Sequence, residues 1–271
     1  QQMDLRWRNT CNFACVYCDP HFSSVWAKFE GVPDKMTNKS MDETFSFVKQ
    51  NIKNLKTIYM AGGEPFLIKE NLKIIDLIQK ENPDLLLRIN TNLSILNEKI
   101  YKQLQLLKNV HWIVSAEATG KKFNYIRWPG NYQTLIQNIK KIQQLPHKVT
   151  INMTWNLLCV SNIINFIDEM LEMGVHPNQF IMNCVQDPIE QSVRNITKQR
   201  RDNLVEIIKQ KQSKINENFF LFKVYTEMLD VLNQPLLDTH KTALYNTLMD
   251  FDTKRKLNSK EVFPELYKEG I

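Results

Sequence analysis

The sequence predicts an α/β fold: a partial (β/α)6 barrel followed by a helical C-terminal extension. Strand-like and helix-like segments alternate up to residue 190, and only helix-like segments follow. The strand-like segments are mostly apolar, which is typical of parallel strands covered on both faces. Six such units are too few for a closed eight-stranded barrel. We therefore divide the chain into a barrel over 1–190 and an extension, packed on the barrel, over 191–271.

Within the barrel, short apolar segments and amphipathic segments follow each other along the chain. The predicted strands cover residues 3–7, 57–61, 84–91, 110–116, 148–157 and 180–185. Helical spacing of apolar residues predicts helices over 40–52, 71–80, 97–107, 131–143 and 161–173. The first of these helices has Ser40 and Glu43 in the positions of a capping box.

The extension is predicted to contain three helices, over 197–213, 219–232 and 236–251. Pro188, Pro235 and Pro264 punctuate this part of the chain. We expect the three helices to pack on the barrel and not to form an independent domain.

The composition is that of an ordinary globular protein. The 271 residues are 43% apolar and 24% charged, with a net charge of +6, and no apolar run approaches the length of a membrane span. We expect neither a membrane nor a nucleic acid as partner. Five cysteines are too few for a disulfide scaffold, so we expect reduced thiols and a cytoplasmic location. The chain begins with Gln1, which suggests further residues upstream.

Three of the five cysteines lie close together in the stretch "NTCNFACVYCDP". Cys11, Cys15 and Cys18 follow the first predicted strand, and the carboxyl ends of barrel strands are where functional residues gather. A structural zinc site would need a fourth ligand, for which Asp19 and His21 are the nearest candidates. Three thiolates with one open coordination position suit a catalytic iron–sulfur cluster better.

The C-x3-C-x2-C spacing, with Tyr17 just before the last cysteine, resembles the signature of the radical SAM superfamily. The resemblance implies that the three cysteines hold a 4Fe–4S cluster and that S-adenosylmethionine (SAM) chelates its fourth iron. It implies reductive cleavage of SAM to methionine and a 5′-deoxyadenosyl radical that abstracts a substrate hydrogen. It also implies an electron donor such as flavodoxin or ferredoxin, and we count Tyr17 among the cofactor-binding residues.

The second predicted strand runs into "MAGGEPFL". Two adjacent glycines let the backbone adopt positive φ and approach a ligand closely. The stretch resembles the GGE motif of the same superfamily, which binds the SAM amino group, so Gly62, Gly63 and Glu64 are predicted cofactor-binding residues. The alternative is a tight turn with an exposed glutamate.

The fourth strand ends in "VSAEATG", where Ser115 and Glu117 alternate and would point to the same side. They resemble the ribose-contacting pair of the superfamily, in which the acid is more often Asp. Arg127 resembles an arginine that meets the SAM carboxylate in several relatives.

Two asparagines complete the predicted cofactor site. Asn90 lies in "INTNLS", which resembles the family's TNG segment with Leu93 in place of glycine, and Asn156 lies near the end of the fifth strand. The isolated Cys159 and Cys184 are expected to be small buried side chains.

Stretches such as "MDLRWRNTCNFACVYC" and "QDPIEQSVRN" resemble the twitch branch of the superfamily, which is related to the SPASM-domain enzymes. Members of that branch carry auxiliary clusters, but no cysteine pair remains here to bind one, and this departure puts the auxiliary chemistry in doubt. The alternative is that such ligands lie upstream of Gln1. A peptide or protein is the predicted substrate. The alternatives are the same chemistry on a nucleotide, sugar or other small metabolite, or a non-catalytic zinc-binding or RNA-binding module.

Overall fold

The computed structural model describes residues 1–33, 38–237 and 240–271, and it confirms the partial α/β barrel. Six strands form one open sheet in chain order, in which the first four strands pair in parallel with their neighbours, as do the fifth and the sixth. The strands are β1 (Gln2–Leu5), β2 (Thr57–Met60), β3 (Leu86–Thr91), β4 (Val110–Ser115), β5 (Lys148–Trp155) and β6 (Phe180–Cys184). Each lies within two residues of a predicted strand at both ends.

Helices connect successive strands, as parallel pairing requires. They are α1 (Ser24–Glu30), α2 (Asn38–Asn51), α3 (Lys69–Glu81), α4 (Glu98–Gln105), α5 (Gly120–Ile126), α6 (Tyr132–Ile142) and α7 (Asn162–Glu172). The capping box predicted for Ser40 and Glu43 is wrong, because α2 begins at Asn38 and both residues lie inside it. The sequence did not predict α1 and α5, since seven residues span only two turns and show little periodicity.

The end of the chain is helical, as predicted. Its helices are α8 (Lys198–Gln212), α9 (Phe220–Leu232), α10 (Lys241–Arg255), α11 (Ser259–Val262) and α12 (Pro264–Lys268). The helix predicted over 236–251 begins later, at Lys241, and positions 238 and 239 lie outside the described residues. Pro264 opens α12, a position where its missing N–H costs nothing. None of the helices described combines the length and the apolar character of a membrane span.

The described residues group into two compact units. Unit 1 comprises residues 1–14, 18–115 and 133–150, and unit 2 comprises 15–17, 116–132 and 151–271. The predicted boundary at residue 190 falls inside unit 2, so the division into barrel and extension stays a prediction.

The strands of unit 1 present two different faces. One face is apolar and fully buried, with Leu5, Ile58, Met60, Leu87, Ile89, Trp112 and Val114. The other face carries polar side chains that are half-buried or exposed, namely Asp4, Tyr59, Arg88, Asn90 and His111. The prediction that both faces are covered is therefore wrong for this unit. A short segment such as "TIYMA" reads as apolar when tyrosine is counted among the apolar residues. Its sequence therefore does not reveal that Tyr59 lies on the polar face.

Candidate functional site

The three clustered cysteines lie in the loop between β1 and α1, at the carboxyl end of the first strand. Cys15 is buried, whereas Cys11 and Cys18 are half-buried, and all three are present as thiols. This loop therefore offers three sulfur ligands within eight consecutive positions, and we call residues 9–20 the cysteine loop.

Two serines at the start of α1 hold the first part of the cysteine loop. The Ser24 hydroxyl accepts a hydrogen bond from the Cys11 N–H and donates one to the Cys11 carbonyl, both at 3.1 Å. The Ser23 hydroxyl caps α1 and donates to the Phe13 carbonyl. The sequence analysis did not single out these serines, although a serine before a helix is a recognisable N-cap signal.

The cysteine loop supplies three sulfur donors, one fewer than a structural zinc site needs. Among the described residues, no three Cys, His, Asp or Glu side chains surround one point closely enough to hold one metal ion. A structural zinc site needs four ligands converging on one ion. A 4Fe–4S cluster binds each thiolate to a different iron, so its sulfurs do not have to meet at one point. His21, the fourth ligand of the zinc alternative, is exposed and pairs with Asp19 at 3.2 Å.

The two glycines after β2 let the turn that contains them pack against the start of the cysteine loop. Gly62 and Gly63 have φ of +82° and +57°. A Cβ on Gly63 would lie 2.1 Å from the Thr10 carbonyl oxygen, which no real contact allows. The same oxygen accepts a 2.8 Å hydrogen bond from the Glu64 N–H. The predicted close approach is therefore present, and its partner is the backbone one residue before Cys11.

Glu64 is fully buried, so the alternative of an exposed glutamate in a turn is wrong. Its carboxylate accepts hydrogen bonds from the Thr91 hydroxyl at 2.7 Å, the Asn92 N–H at 2.8 Å and the Phe66 N–H at 3.3 Å. Burial raises the pKa of Glu64 to about 7, because desolvation outweighs the three donors. Glu64 thereby joins the carboxyl ends of β2 and β3.

The segment after β3 is tied to the cysteine loop by side-chain amides. Asn92 donates to the Asn12 side chain at 3.0 Å, and Asn12 donates to the Ser94 hydroxyl at 2.9 Å. Leu93, which replaces the family's glycine, has a φ of +53° and is fully buried. The backbone conformation that favours glycine is thus kept here despite the larger side chain.

Asn90 and Ser115 lie on neighbouring strands of unit 1 and are both half-buried. The Ser115 hydroxyl donates to the Asn90 side-chain oxygen at 3.4 Å, so the structure brings these two predicted residues together. β4 ends at Ser115, so Glu117 follows the strand, and the orientation of the two side chains to the same side stays a prediction.

In unit 2, the buried Glu117 and Arg127 and the half-buried Tyr17 form one group. Arg127 donates from Nε to both Glu117 oxygens, at 3.1 and 3.0 Å, and from Nη2 at 2.5 Å. The Tyr17 hydroxyl donates to Glu117 at 3.1 Å, and the guanidinium lies 5.5 Å from the Tyr17 ring centre. Burial lowers the pKa of Arg127, but the Glu117 carboxylate outweighs this effect and the pKa lies well above its usual value. Arg127 therefore keeps its positive charge although it is buried.

Gln191 is a site residue that the sequence analysis missed. Its side chain is buried and donates a 2.7 Å hydrogen bond to the Val16 carbonyl, while the Val16 N–H bonds the Ile126 carbonyl at 2.9 Å. Both backbone groups of the residue between Cys15 and Tyr17 are thus fixed within unit 2. No local signal marks a glutamine that acts 175 positions away from its partner.

Asn156 is fully buried, and its side chain caps a short 3-10 turn. Its oxygen accepts from the Leu158 and Cys159 N–H groups, and its amide donates to the Thr154 carbonyl at 3.0 Å. Cys159 is buried as expected, and burial raises the pKa of its thiol. Cys184 is half-buried, and burial raises the pKa of its thiol to about 11. High pKa values disfavour the thiolate that metals bind.

Curated relatives match the chain over about a third of its length. The GTP 3′,8-cyclase of Campylobacter lari is 36% identical over 90 residues, which are 33% of this chain and 26% of that protein. The same enzyme of Sulfurimonas denitrificans is 33% identical over 93 residues, 34% of this chain and 27% of that protein. The chain therefore spans about a quarter of the length of these relatives.

Solved structures resemble the fold over most of the chain. Native anSMEcpe with bound AdoMet has a TM-score of 0.60 at 14% identity and covers 79% of this chain and 60% of its own. Streptococcus suis SuiB bound to precursor peptide SuiA has a TM-score of 0.57 at 17% identity and covers 84% of this chain and 51% of its own. At these identities the likeness shows the fold alone.

The model of the radical SAM superfamily matches residues 7–157, more than half of the chain. This range includes the cysteine loop and residues 62–64, which we call the GGE turn. The match confirms the predicted superfamily and, with it, the class of enzyme and the two cofactors of the family, a 4Fe–4S cluster and SAM. Membership of the twitch branch stays a prediction. The chain belongs to the radical SAM superfamily.

Proposed function

We propose that Cys11, Cys15 and Cys18 hold the 4Fe–4S cluster and that the carboxyl ends of the strands hold SAM. The bound pair supplies a 5′-deoxyadenosyl radical that abstracts a hydrogen from the substrate. The contribution of this chain is to fix the thiols, orient SAM and exclude water. The observation that carries the proposal is the packing of Gly63 on the Thr10 carbonyl, next to Cys11.

Glu64 is the proposed partner of the SAM ammonium group. Three donors already hold its carboxylate in one orientation, so no reorganisation is needed when a cation arrives. A positive charge beside this buried carboxyl would also favour its ionised form. Asn90 and Ser115, which contact each other on β3 and β4, are proposed to reach SAM as well.

Glu117 and Arg127 remain proposed contacts of the SAM ribose and carboxylate. Because Nε and Nη2 of Arg127 both bind Glu117, the SAM carboxylate would share the guanidinium with that acid. The Tyr17 hydroxyl donates to the Glu117 carboxylate and would act on SAM through that acid. Asn156 is the weakest member of the proposed set, since the backbone around it already engages its amide.

Two substrate classes have support. The curated relatives are GTP 3′,8-cyclases, which supports a nucleotide, whereas SuiB was solved with a precursor peptide, which supports the peptide or protein substrate predicted from the sequence. The relatives match about a third of the chain, whereas the solved neighbours resemble its fold. The side chains on the polar face of the sheet in unit 1 can separate these classes.

Metal analysis after anaerobic purification tests the cluster. We expect about four irons and four sulfides per chain. Cys15→Ala should lose them, whereas Cys184→Ala, a matched change at a half-buried cysteine outside the loop, should keep them. A colourless protein with one zinc would support the zinc-binding alternative instead.

SAM binding to the loaded protein tests Glu64. We expect Glu64→Ala to weaken SAM binding while iron and sulfide contents stay at the wild-type level. Glu64→Gln keeps the shape of the side chain and one of the two oxygens that accept from Thr91 and Asn92, so it removes the charge with a smaller loss of structure than Glu64→Ala. If cluster loading collapses in both variants, the role of Glu64 is structural and not cofactor binding.

A further inference from the structure

The polar face of the sheet in unit 1 carries a row of charged and aromatic side chains that the proposed site does not use. Register places Asp4 beside Tyr59, Tyr59 beside Arg88, and Arg88 beside His111 across β1 to β4. Helix-covered parallel sheets normally bury apolar residues on both faces, so an open face with this composition calls for a function.

The side chains of the row contact each other. The guanidinium groups of Arg6 and Arg88 lie 5.7 and 5.3 Å from the centre of the Tyr59 ring. Arg6 also pairs with Asp4 at 3.2 Å, and both side chains are about half exposed. The Nε of Arg88 is buried and has no hydrogen-bond partner among the described residues. A buried guanidinium donor without an acceptor is costly unless a ligand supplies one.

His111 and Lys148 extend the row. The His111 ring nitrogen Nε2 bonds the Thr150 hydroxyl at 2.8 Å. The pKa of His111 is lowered to about 4 by burial first and then by the positive charges of Lys148 and Arg88. His111 is therefore neutral at pH 7, and the row has three cations, Arg6, Arg88 and Lys148, against the one carboxylate of Asp4. We call Arg6, Tyr59, Arg88, His111 and Lys148 the basic row.

We propose that the basic row binds the phosphate group of a phosphorylated small-molecule substrate. Guanidinium groups match the oxygens of a phosphate with paired hydrogen bonds. The excess of two positive charges over Asp4 fits a dianion better than the single charge of a peptide carboxylate. Asn90 follows Arg88 on the same face of β3, about 7 Å closer to the carboxyl end, so the phosphate would lie just below the proposed SAM contacts. This inference rests on the proposed function and names its substrate class.

Calorimetric titration of the full chain with inorganic pyrophosphate at low ionic strength tests the proposal. We expect binding that Arg88→Met weakens about tenfold, because a charge-assisted hydrogen bond is lost while the side-chain stem is kept. Arg201→Met is the matched control, since Arg201 pairs with Asp202 in unit 2 and should not affect binding. Asp4→Asn should tighten binding, because Asp4 competes with the ligand for Arg6.

Three outcomes would overturn the proposal. The first is that pyrophosphate does not bind. The second is that Arg88→Met and Arg201→Met weaken pyrophosphate binding equally, as expected for an adventitious ion only, and the third is that a short acidic peptide binds more tightly than pyrophosphate. Thermal unfolding of each variant shows whether Arg88→Met is folded, and Asp4→Asn gives a change of opposite sign that misfolding cannot produce. The titration needs neither cluster nor SAM. Loss of SAM cleavage with intact pyrophosphate binding would therefore contradict the proposed function and not the basic row.

Discussion

Gly63 shows why the GGE turn needs glycine. Its Cβ would collide with the Thr10 carbonyl at 2.1 Å, so Gly63→Ala must displace the backbone next to Cys11. We expect a loss of about 3 kcal/mol in the free energy of unfolding, together with reduced iron loading. Gly120→Ala is the control, because Gly120 has a similar φ of +52° with nothing within 4 Å of its Cβ. It should cost only about 1 kcal/mol, from the left-handed conformation. Equal losses measured by denaturant unfolding would contradict this account.

Leu93 offers a test of backbone strain in the segment that follows β3. At a φ of +53°, glycine should be at least as stable as alanine, which reverses their usual order. We expect the denaturant concentration at which Leu93→Gly unfolds to be equal to or higher than that at which Leu93→Ala unfolds. At the buried Leu96 in the same segment, where φ is not positive, glycine should be the less stable of the two by about 0.5–1 kcal/mol. The same order at both positions would argue against strain at Leu93.

Because of Glu64, we expect the stability of the protein without SAM to depend on pH. Its folded pKa of about 7 lies above the unfolded value of 4.5, so the folded state holds the proton more tightly. Stability from this group is therefore fully present below pH 4.5 and is lost as the pH rises through 7, by about 3 kcal/mol in total. Unfolding of wild type and Glu64→Gln between pH 5 and 8 should show a smaller decrease in the variant. A parallel pH dependence in both proteins would assign the decrease to other groups.

The segments that hold the cysteine loop come from distant elements. Gln191 fixes the Val16 carbonyl between Cys15 and Tyr17. We expect Gln191→Ala to release iron to a chelator faster than wild type, with an altered EPR spectrum of the reduced cluster, because the backbone between two ligands is loosened. Asn195→Ala is the matched control. Asn195 donates a 2.7 Å hydrogen bond to the Ile189 carbonyl, in the same segment, without contacting the loop. Equal iron release in both variants would reduce Gln191 to a general stabilising residue.

Strands and long helices were predictable because their periodicity is local. All six strands and the helices α3, α4, α6 and α7 were found within a few residues of their ends. The capping box at Ser40 failed because α2 extends beyond it, and helix ends are the least certain feature of a pattern. The polar face of the sheet was missed because a single tyrosine or arginine between apolar residues does not reveal whether that face is covered.

The functional site was predictable where residues lie close in the chain. The three cysteines and the GGE turn follow from motifs at strand ends, whereas the contact of Ser115 with Asn90 comes from the pairing of two strands. The burial of Glu64, the ion pair of Glu117 with Arg127 and the contact of Gln191 with Val16 depend on packing between distant segments. The basic row also depends on strand register, since its members come from four strands and the residue after β1.

Formation of 5′-deoxyadenosine is the most direct test of radical SAM chemistry in this chain. The full chain is loaded with iron and sulfide under anaerobic conditions, reduced with dithionite and given SAM, and the products are measured by mass spectrometry. We predict equal amounts of 5′-deoxyadenosine and methionine, lost in Cys15→Ala and kept in Cys184→Ala. A protein that binds four irons and SAM yet forms no more 5′-deoxyadenosine than Cys15→Ala would contradict the account.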